Sequence, residues 1–262
     1  MKKTLKAVIK KLIDVSVDLM GRTGGGRYLF GRITANAMGL TRTIEHRGVS
    51  LTFAAPNELA RARADTFSSK EPETLEWIDG IPSGSLVWDI GANVGLYTCY
   101  AAKHRGCRVF AFEPSIFNLE LLARNVVLNG LVGKVTVVPL PLSGESAASQ
   151  LNMSSTDWGG AMSTFGEAYG HDGRALHKIF EYPTIGVTMT DAVSLLKISQ
   201  PDYIKMAVDG IEHLILKGGM PVLGGVKGIL IEINDEFAAQ ASGASESLRQ
   251  AGFTLKEKKH AD

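Results

Sequence analysis

The stretch Leu86-Val87-Trp88-Asp89-Ile90-Gly91-Ala92-Asn93-Val94-Gly95-Leu96-Tyr97-Thr98 decides the fold. A short apolar run ends in an acid, and a small-residue turn then opens into an amphipathic segment. That order predicts a strand, a tight loop and a helix start, which together present backbone N–H groups at the strand's C-terminal end. A dinucleotide loop reads G-x-G-x-x-G because its second glycine lets the backbone approach a pyrophosphate. Asn93 holds that second position here, and its side chain would crowd the approach. Asp89 at the strand end is badly placed for a phosphate and well placed for a cation. The loop therefore suits a ligand carrying an ammonium. Gly91 and Gly95 permit the turn, and Asn93 offers both a donor and an acceptor.

A second acid sharpens the expectation. Glu113 lies 24 residues beyond Asp89 and closes the strand Arg108–Phe112. An acid at that distance, at a neighbouring strand end, hydrogen-bonds ribose hydroxyls in nucleotide-binding α/β folds. The pair points to a nucleoside with a cationic amino-acid part, such as S-adenosylmethionine.

The rest of the chain alternates in the same rhythm. Strands are predicted over 49–53, 86–90, 108–112, 135–139, 184–190, 203–208, 226–233 and 253–258. Helices are predicted over 57–79, 94–104, 116–128, 191–197 and 236–250. Alternation of this kind means a doubly wound, mostly parallel α/β sheet with right-handed crossovers. Residues 143–183 break the pattern with a long segment rich in Gly, Ser and Met that carries Trp158, Tyr169, His171, His177 and Tyr182. It reads as a substrate-facing insertion, because a loop of that length in a compact domain is usually functional or disordered.

The motif Asp89-Ile90-Gly91-Ala92-Asn93-Val94-Gly95 resembles the first motif of class I methyltransferases, in the wording of the FkbM-type family. Further matches follow in order: Val109-Phe110-Ala111-Phe112-Glu113-Pro114, Asn125-Val126-Val127-Leu128-Asn129-Gly130, Tyr203-Ile204-Lys205-Met206-Ala207-Val208-Asp209-Gly210-Ile211-Glu212, Leu216-Lys217-Gly218 and Ile229-Leu230-Ile231-Glu232-Ile233. Linked motifs in order are much more specific than any one of them. The resemblance implies a Rossmann-like fold and methyl transfer from S-adenosylmethionine to oxygen, on a sugar, glycolipid or secondary metabolite. It implies a cofactor site at Asp89, Gly91, Asn93, Gly95 and Glu113, with Ser143 at the adenine edge. The catalytic candidates are Lys205, Asp209 and Glu232. Ala207 departs from the family pattern, which has an acid there, so Asp209 or Glu232 takes that task or it is lost. Lys205 and Asp209 also admit a plain strand-end ion pair. The resemblance further implies an antiparallel strand closing the sheet, and the C-terminal end reads as shortened because no segment supplies one. A cofactor-binding relative without turnover is the rival reading. A nicotinamide-dependent oxidoreductase is disfavoured by Asn93.

Composition bounds the remaining possibilities. The 262 residues suit one domain from 33 to 262 with a basic N-terminal helix and Gly-rich linker over 1–32. Residues 1–32 hold eight Lys or Arg against Asp14 and Asp18, so the rest of the chain sums to −5 within a net charge of +1. That balance gives the domain no nucleic-acid footprint. Cys99 and Cys107 form no disulfide framework, and the histidines have no ligand spacing, so no metal and a cytoplasmic setting are expected. Leu5, Val8, Ile9, Leu12, Leu19 and Met20 make an apolar stripe opposite Lys3, Lys6 and Lys10. Two readings stand for it: a helix docked on the domain, the commoner outcome, or a helix lying peripherally on a membrane. Oligomeric state is not legible.

Overall fold

The computed structural model describes residues 2–259, with side chains from residue 7 onward. Two helices, α1 (Lys2–Gly21) and α2 (Gly24–Met38), form an N-terminal hairpin. The side chains of Lys3, Leu5 and Lys6, on which part of the expected stripe rests, lie outside the described residues. Gly24-Gly25-Gly26 is not the linker expected from sequence but the first turn of α2. Thr23 caps it by accepting the Gly26 amide at 2.9 Å. A Cβ on Gly26 would stand 1.9 Å from the Met20 carbonyl oxygen, so the tight turn needs glycine.

Strands β1 (Thr41–His46) and β2 (Val49–Ala54) pair antiparallel around Arg47-Gly48, both at positive φ, the turn geometry that matches strand twist. The sequence reading missed β1 because its residues are largely exposed and lack apolar alternation. The expected helix over 57–79 breaks into α3 (Glu58–Asp65), α4 (Phe67–Lys70) and α5 (Pro72–Gly80). Pro72 explains the last break, since it forces Glu71 out of helical backbone and fits the first position of a new helix.

The central layer follows as β3 (Leu86–Ile90), α6 (Leu96–His104), β4 (Arg108–Phe112), α7 (Ile116–Leu128) and β5 (Val135–Val138). The expected loop 143–183 instead contains β6 (Ala147–Met153), β7 (Ser163–Phe165) and β8 (Phe180–Gly186), an antiparallel sheet in the order β7-β6-β8. Its strands were illegible because small and polar residues dilute the alternation. The chain continues through α8 (Met189–Ser194), β9 (Tyr203–Met206), α9 (Glu212–Gly218), α10 (Met220–Leu223), β10 (Gly228–Ile231) and α11 (Ala238–Gln250).

The main sheet runs β10-β9-β3-β4-β5, every neighbouring pair parallel. The chain starts in the middle at β3, winds outward to β5, then crosses back to β9 and β10. This is the doubly wound topology expected, with its switch point between β3 and β9. All five residues of β3 are buried. Trp88 and Ile90 enter one core layer, with Phe112, Ile204 and Met206. Val87 faces the other, with Tyr100, Val109 and Leu122. No strand forms over 253–258. Leu255 is 81% exposed, while Lys258 pairs with Asp235 and Lys259 with Glu76. A segment with four charges among its last four described residues cannot supply a buried strand.

Candidate functional site

Three chain reversals converge at the C-terminal ends of β3, β4 and β9. Leaving β3, Gly91 takes φ +80°, Asn93 φ +51° and Gly95 φ +80°. The amides of Gly91 and Ala92 both donate to the Phe112 carbonyl at 3.0 Å, tying the loop to β4. A Cβ on Gly91 would lie 1.9 Å from the Ala207 carbonyl oxygen, and one on Gly95 would lie 2.3 Å from Leu122 Cδ1. Gly91 is thus required by close approach to backbone as well as by conformation, and Gly95 by its positive φ.

Glu113 stands at the end of β4 and is 6% exposed. Its Oε2 accepts the Asn93 amide at 2.7 Å and its Oε1 the Ser115 amide at 2.8 Å. It therefore pins the glycine loop from the neighbouring strand. Burial pushes its pKa up to about 7, opposed by those two backbone donors.

The loop and Glu113 border a cleft of about 560 Å³ that opens to solvent. Phe112, Leu140, Pro141 and Leu142 give it an apolar wall, while Ala207, Val208 and Asp209 form the side below β9. An apolar cleft with a few convergent polar groups is the usual form of a small-molecule site. Ser143 does not line the cleft. Its amide donates to the Val187 carbonyl at 2.9 Å, which turns this residue toward α8 and α9.

The roof is a strap from the insertion. Asn93 Nδ2 and Asn118 Nδ2 both donate to the Gly160 carbonyl, at 2.8 and 3.0 Å. Asn118 Oδ1 accepts the Gly159 amide at 3.0 Å, Arg63 Nε donates to the Gly159 carbonyl at 2.6 Å, and Asp209 Oδ2 accepts the Met162 amide at 2.7 Å. The Asn93 side chain, expected to serve a ligand, is thus held by the strap and by the Val94 amide. The strap borders the cleft and is ordered by these bonds. Trp158 packs beside Val94 and Leu121, and Tyr182 donates to the Pro114 carbonyl, so both aromatics serve packing. His171 sits with its backbone against Gly210.

Asp89 and Lys205 are brought together on the other face of the sheet. They are register partners on β3 and β9, with Nζ 3.6 Å from Asp89 Oδ1. Thr98 donates to Asp89 Oδ2 at 2.5 Å. Lys205 also lies 5.8 Å from the Tyr97 ring centroid, and both side chains border a smaller hollow of about 210 Å³ under α5 and α6. An ammonium does face Asp89, but it is the protein's own. The strand-end ion pair admitted by the sequence exists with a different partner, since Lys205 pairs with Asp89 rather than Asp209. Asp89 Oδ1 accepts no hydrogen bond among the described residues.

Asp209 sits at φ +61° in the turn after β9, and Glu212 holds that turn by accepting the Val208 and Gly210 amides at 2.9 and 3.0 Å. Burial raises the Asp209 pKa against the Met162 and Ser163 amides. Glu232 ends β10 on the exposed rim, with its pKa raised by desolvation of the carboxyl and by Glu71. Asn118, Arg63 and Glu212 were missed as site residues. Glu212 was visible as the last member of its motif, whereas Arg63 and Asn118 sit on ordinary helical segments with no local signal. Burial lowers the pKa of Arg63, which feels the charges of Glu71, Asp209 and Glu113.

The comparisons agree with this geometry. The methyltransferase FkbM domain profile matches residues 89–255. A methyltransferase of Sordaria araneosa, sdnD, is 32% identical over 75 residues, 28% of this chain and 29% of that protein. The hexuronic acid methyltransferase AglP of Haloferax volcanii is 24% identical over 152 residues, 57% of this chain and 56% of that protein. The chain thus spans little more than half the length, or less, of these curated relatives. The crystal structure of a methyltransferase FkbM from Methylobacillus flagellatus superposes with a TM-score of 0.44 at 16% identity, covering 64% of this chain and 38% of that one. With the profile running from Asp89 through the glycine loop, Glu113, Asp209 and β10, the chain belongs to the methyltransferase FkbM domain family.

Proposed function

We propose that this chain is an S-adenosylmethionine-dependent methyltransferase acting on a hydroxyl of a sugar, glycolipid or secondary metabolite. The carrying observation is the cleft itself: a glycine loop with no room for a Cβ at Gly91, tied by the Asn93 amide to a buried acid at the next strand end. The apolar wall of Phe112, Leu140, Pro141 and Leu142 suits a purine, and Glu113 suits ribose hydroxyls. The buried acid Glu113 suits a ligand bearing a positive charge, and the described cleft lining holds no Lys or Arg to cradle a phosphate. When bound, S-adenosylmethionine supplies an electrophilic methyl group.

The protein's own work is then alignment and proton handling. Asp209, in the cleft wall, takes the proton of the acceptor hydroxyl as that oxygen becomes methylated. Its raised pKa moves it toward the range where a carboxylate is an effective base near neutrality. The strap covers the loop and excludes water. Ala207 gives no proton acceptor, and Glu232 stands at the rim for the acceptor's distal groups. Asp89 and Lys205 act by setting the height of the loop against β9. The archaeal relative's name, a hexuronic acid methyltransferase, supports the sugar class.

Calorimetric titration with S-adenosylmethionine, followed by an acceptor panel monitored for S-adenosylhomocysteine, tests the reading. Saturable binding and turnover are expected. Asp209→Asn should lower kcat by about 10²–10⁴-fold and leave cofactor binding nearly intact. Absence of binding by folded protein would overturn the proposal. Binding without turnover would favour the rival suggested by Ala207, a cofactor-binding protein that does not catalyse transfer.

A further inference from the structure

The α1–α2 hairpin presents the wrong side to water. Every described side chain from residue 7 to residue 20 is exposed. Val8, Leu12, Val15 and Leu19, spaced 4, 3 and 4 apart, form one stripe and are 52%, 63%, 60% and 66% exposed. Ile9 and Ile13 flank it at 47% and 55%. The docked helix that the sequence admitted is therefore not what forms: the apolar arc of α1 faces solvent. Tyr28, Leu29 and Ile33 are likewise exposed on α2. A helix stripe of large apolar side chains left bare in this way marks an interaction surface.

Charge identifies the partner. Residues 1–32 carry eight Lys or Arg against two acids, whereas the rest of the chain sums to −5. The net positive charge thus lies in the hairpin that also carries the bare apolar side chains. Lys10 and Lys11 sit on the polar side of α1, and Arg27 and Arg32 on α2 are exposed. Among the described residues no helix is long and apolar enough to cross a membrane, and Lys10, Lys11, Asp14 and Asp18 interrupt α1. A helix that cannot span but combines an apolar arc with a basic polar face lies in the lipid interface. Two copies of the hairpin would bring like charge together, which disfavours self-association through it.

We propose that the α1–α2 hairpin docks this protein on an anionic lipid surface. Its apolar arc enters the headgroup boundary and its Lys and Arg side chains meet acidic headgroups. The inference is independent of the chemistry of the cleft. The test is co-sedimentation of the full chain with vesicles of phosphatidylcholine alone or with about 30% phosphatidylglycerol, at low and high salt. Binding is expected to be at least about tenfold stronger on the anionic vesicles and to weaken in high salt. Lys10→Gln/Lys11→Gln should cost about tenfold, and Leu12→Gln/Leu19→Gln should abolish sedimentation, with thermal melting unchanged because these side chains are exposed. Equal binding to both vesicles, or none to either, overturns the proposal. A dimer in light scattering that Leu12→Gln/Leu19→Gln dissolves would overturn it too, by giving the face to a second copy of the chain.

Discussion

Replacing Lys205 by methionine isolates what the Asp89–Lys205 pair does. The two side chains are 4% and 10% exposed, and their charged atoms lie 3.6 Å apart. Methionine keeps most of the volume but leaves the Asp89 carboxylate buried with only the Thr98 hydroxyl. Breaking a buried pair by removing one partner costs about 3–5 kcal/mol. For a domain of this size that lowers the melting temperature by roughly 10 °C. The second substitution, Asp89→Asn, removes the stranded charge, so Asp89→Asn/Lys205→Met should recover most of the loss. Urea denaturation followed by circular dichroism at pH 7.5 measures wild type and both variants. A Lys205→Met stability within about 0.5 kcal/mol of wild type, or a double variant no better than the single, would refute a structural ion pair and return Lys205 to the catalytic candidates.

Four further outcomes follow from the cleft. With the Glu113 pKa at about 7 and its ionised form the better acceptor for hydroxyls, S-adenosylmethionine affinity should rise about tenfold in all from pH 6 and level off above about pH 8; a flat calorimetric profile would contradict that assignment. The same shift has the opposite sign for folding: the folded chain keeps a proton that the unfolded chain loses between about pH 4.5 and 7, so this group's contribution to stability declines across that window. Gly91→Ala forces a Cβ against the Ala207 carbonyl at a positive φ, which should cost about 2 kcal/mol or more in chemical denaturation and weaken cofactor binding; a neutral substitution would show that loop and β9 are not in contact. Asn118→Ala removes two bonds to the strap, each worth about 1 kcal/mol, so amide exchange at Gly159 should accelerate about tenfold or more while α7 stays protected.

The division between sequence and structure can be read residue by residue. The β3–loop–α6 motif, the strand-end acid Glu113 and the parallel winding were legible because each rests on local rules: an apolar run, a glycine where φ is positive, an alternation of periods. The family pattern was legible for the same reason, since its motifs are contiguous. The asparagines of α7 show the boundary. Asn125 and Asn129 appear in sequence only as a helix end, yet in the fold they satisfy the backbone of β2 and of the glycine loop, accepting the Ala54 and Thr52 amides and donating to Val94 and Thr52. Such pairing spans 31, 71 or 77 residues and leaves no periodic trace.

Three decisions belonged to tertiary structure alone. Asp89 looked like a receptor for a ligand's ammonium, and strand register placed the ammonium of Lys205 beside it instead. The segment 143–183 looked loop-like, and antiparallel pairing with distant partners made it a three-stranded sheet whose strap roofs the cleft. The N-terminal stripe admitted a docked helix, the commoner outcome, and a lipid-facing one, because an amphipathic pattern specifies a face and not what covers it. The sequence by itself determined which backbone conformations each segment could take and where charge would sit. Which side chains meet across the sheet was decided by register and packing, because those contacts depend on strands and helices far apart in the chain.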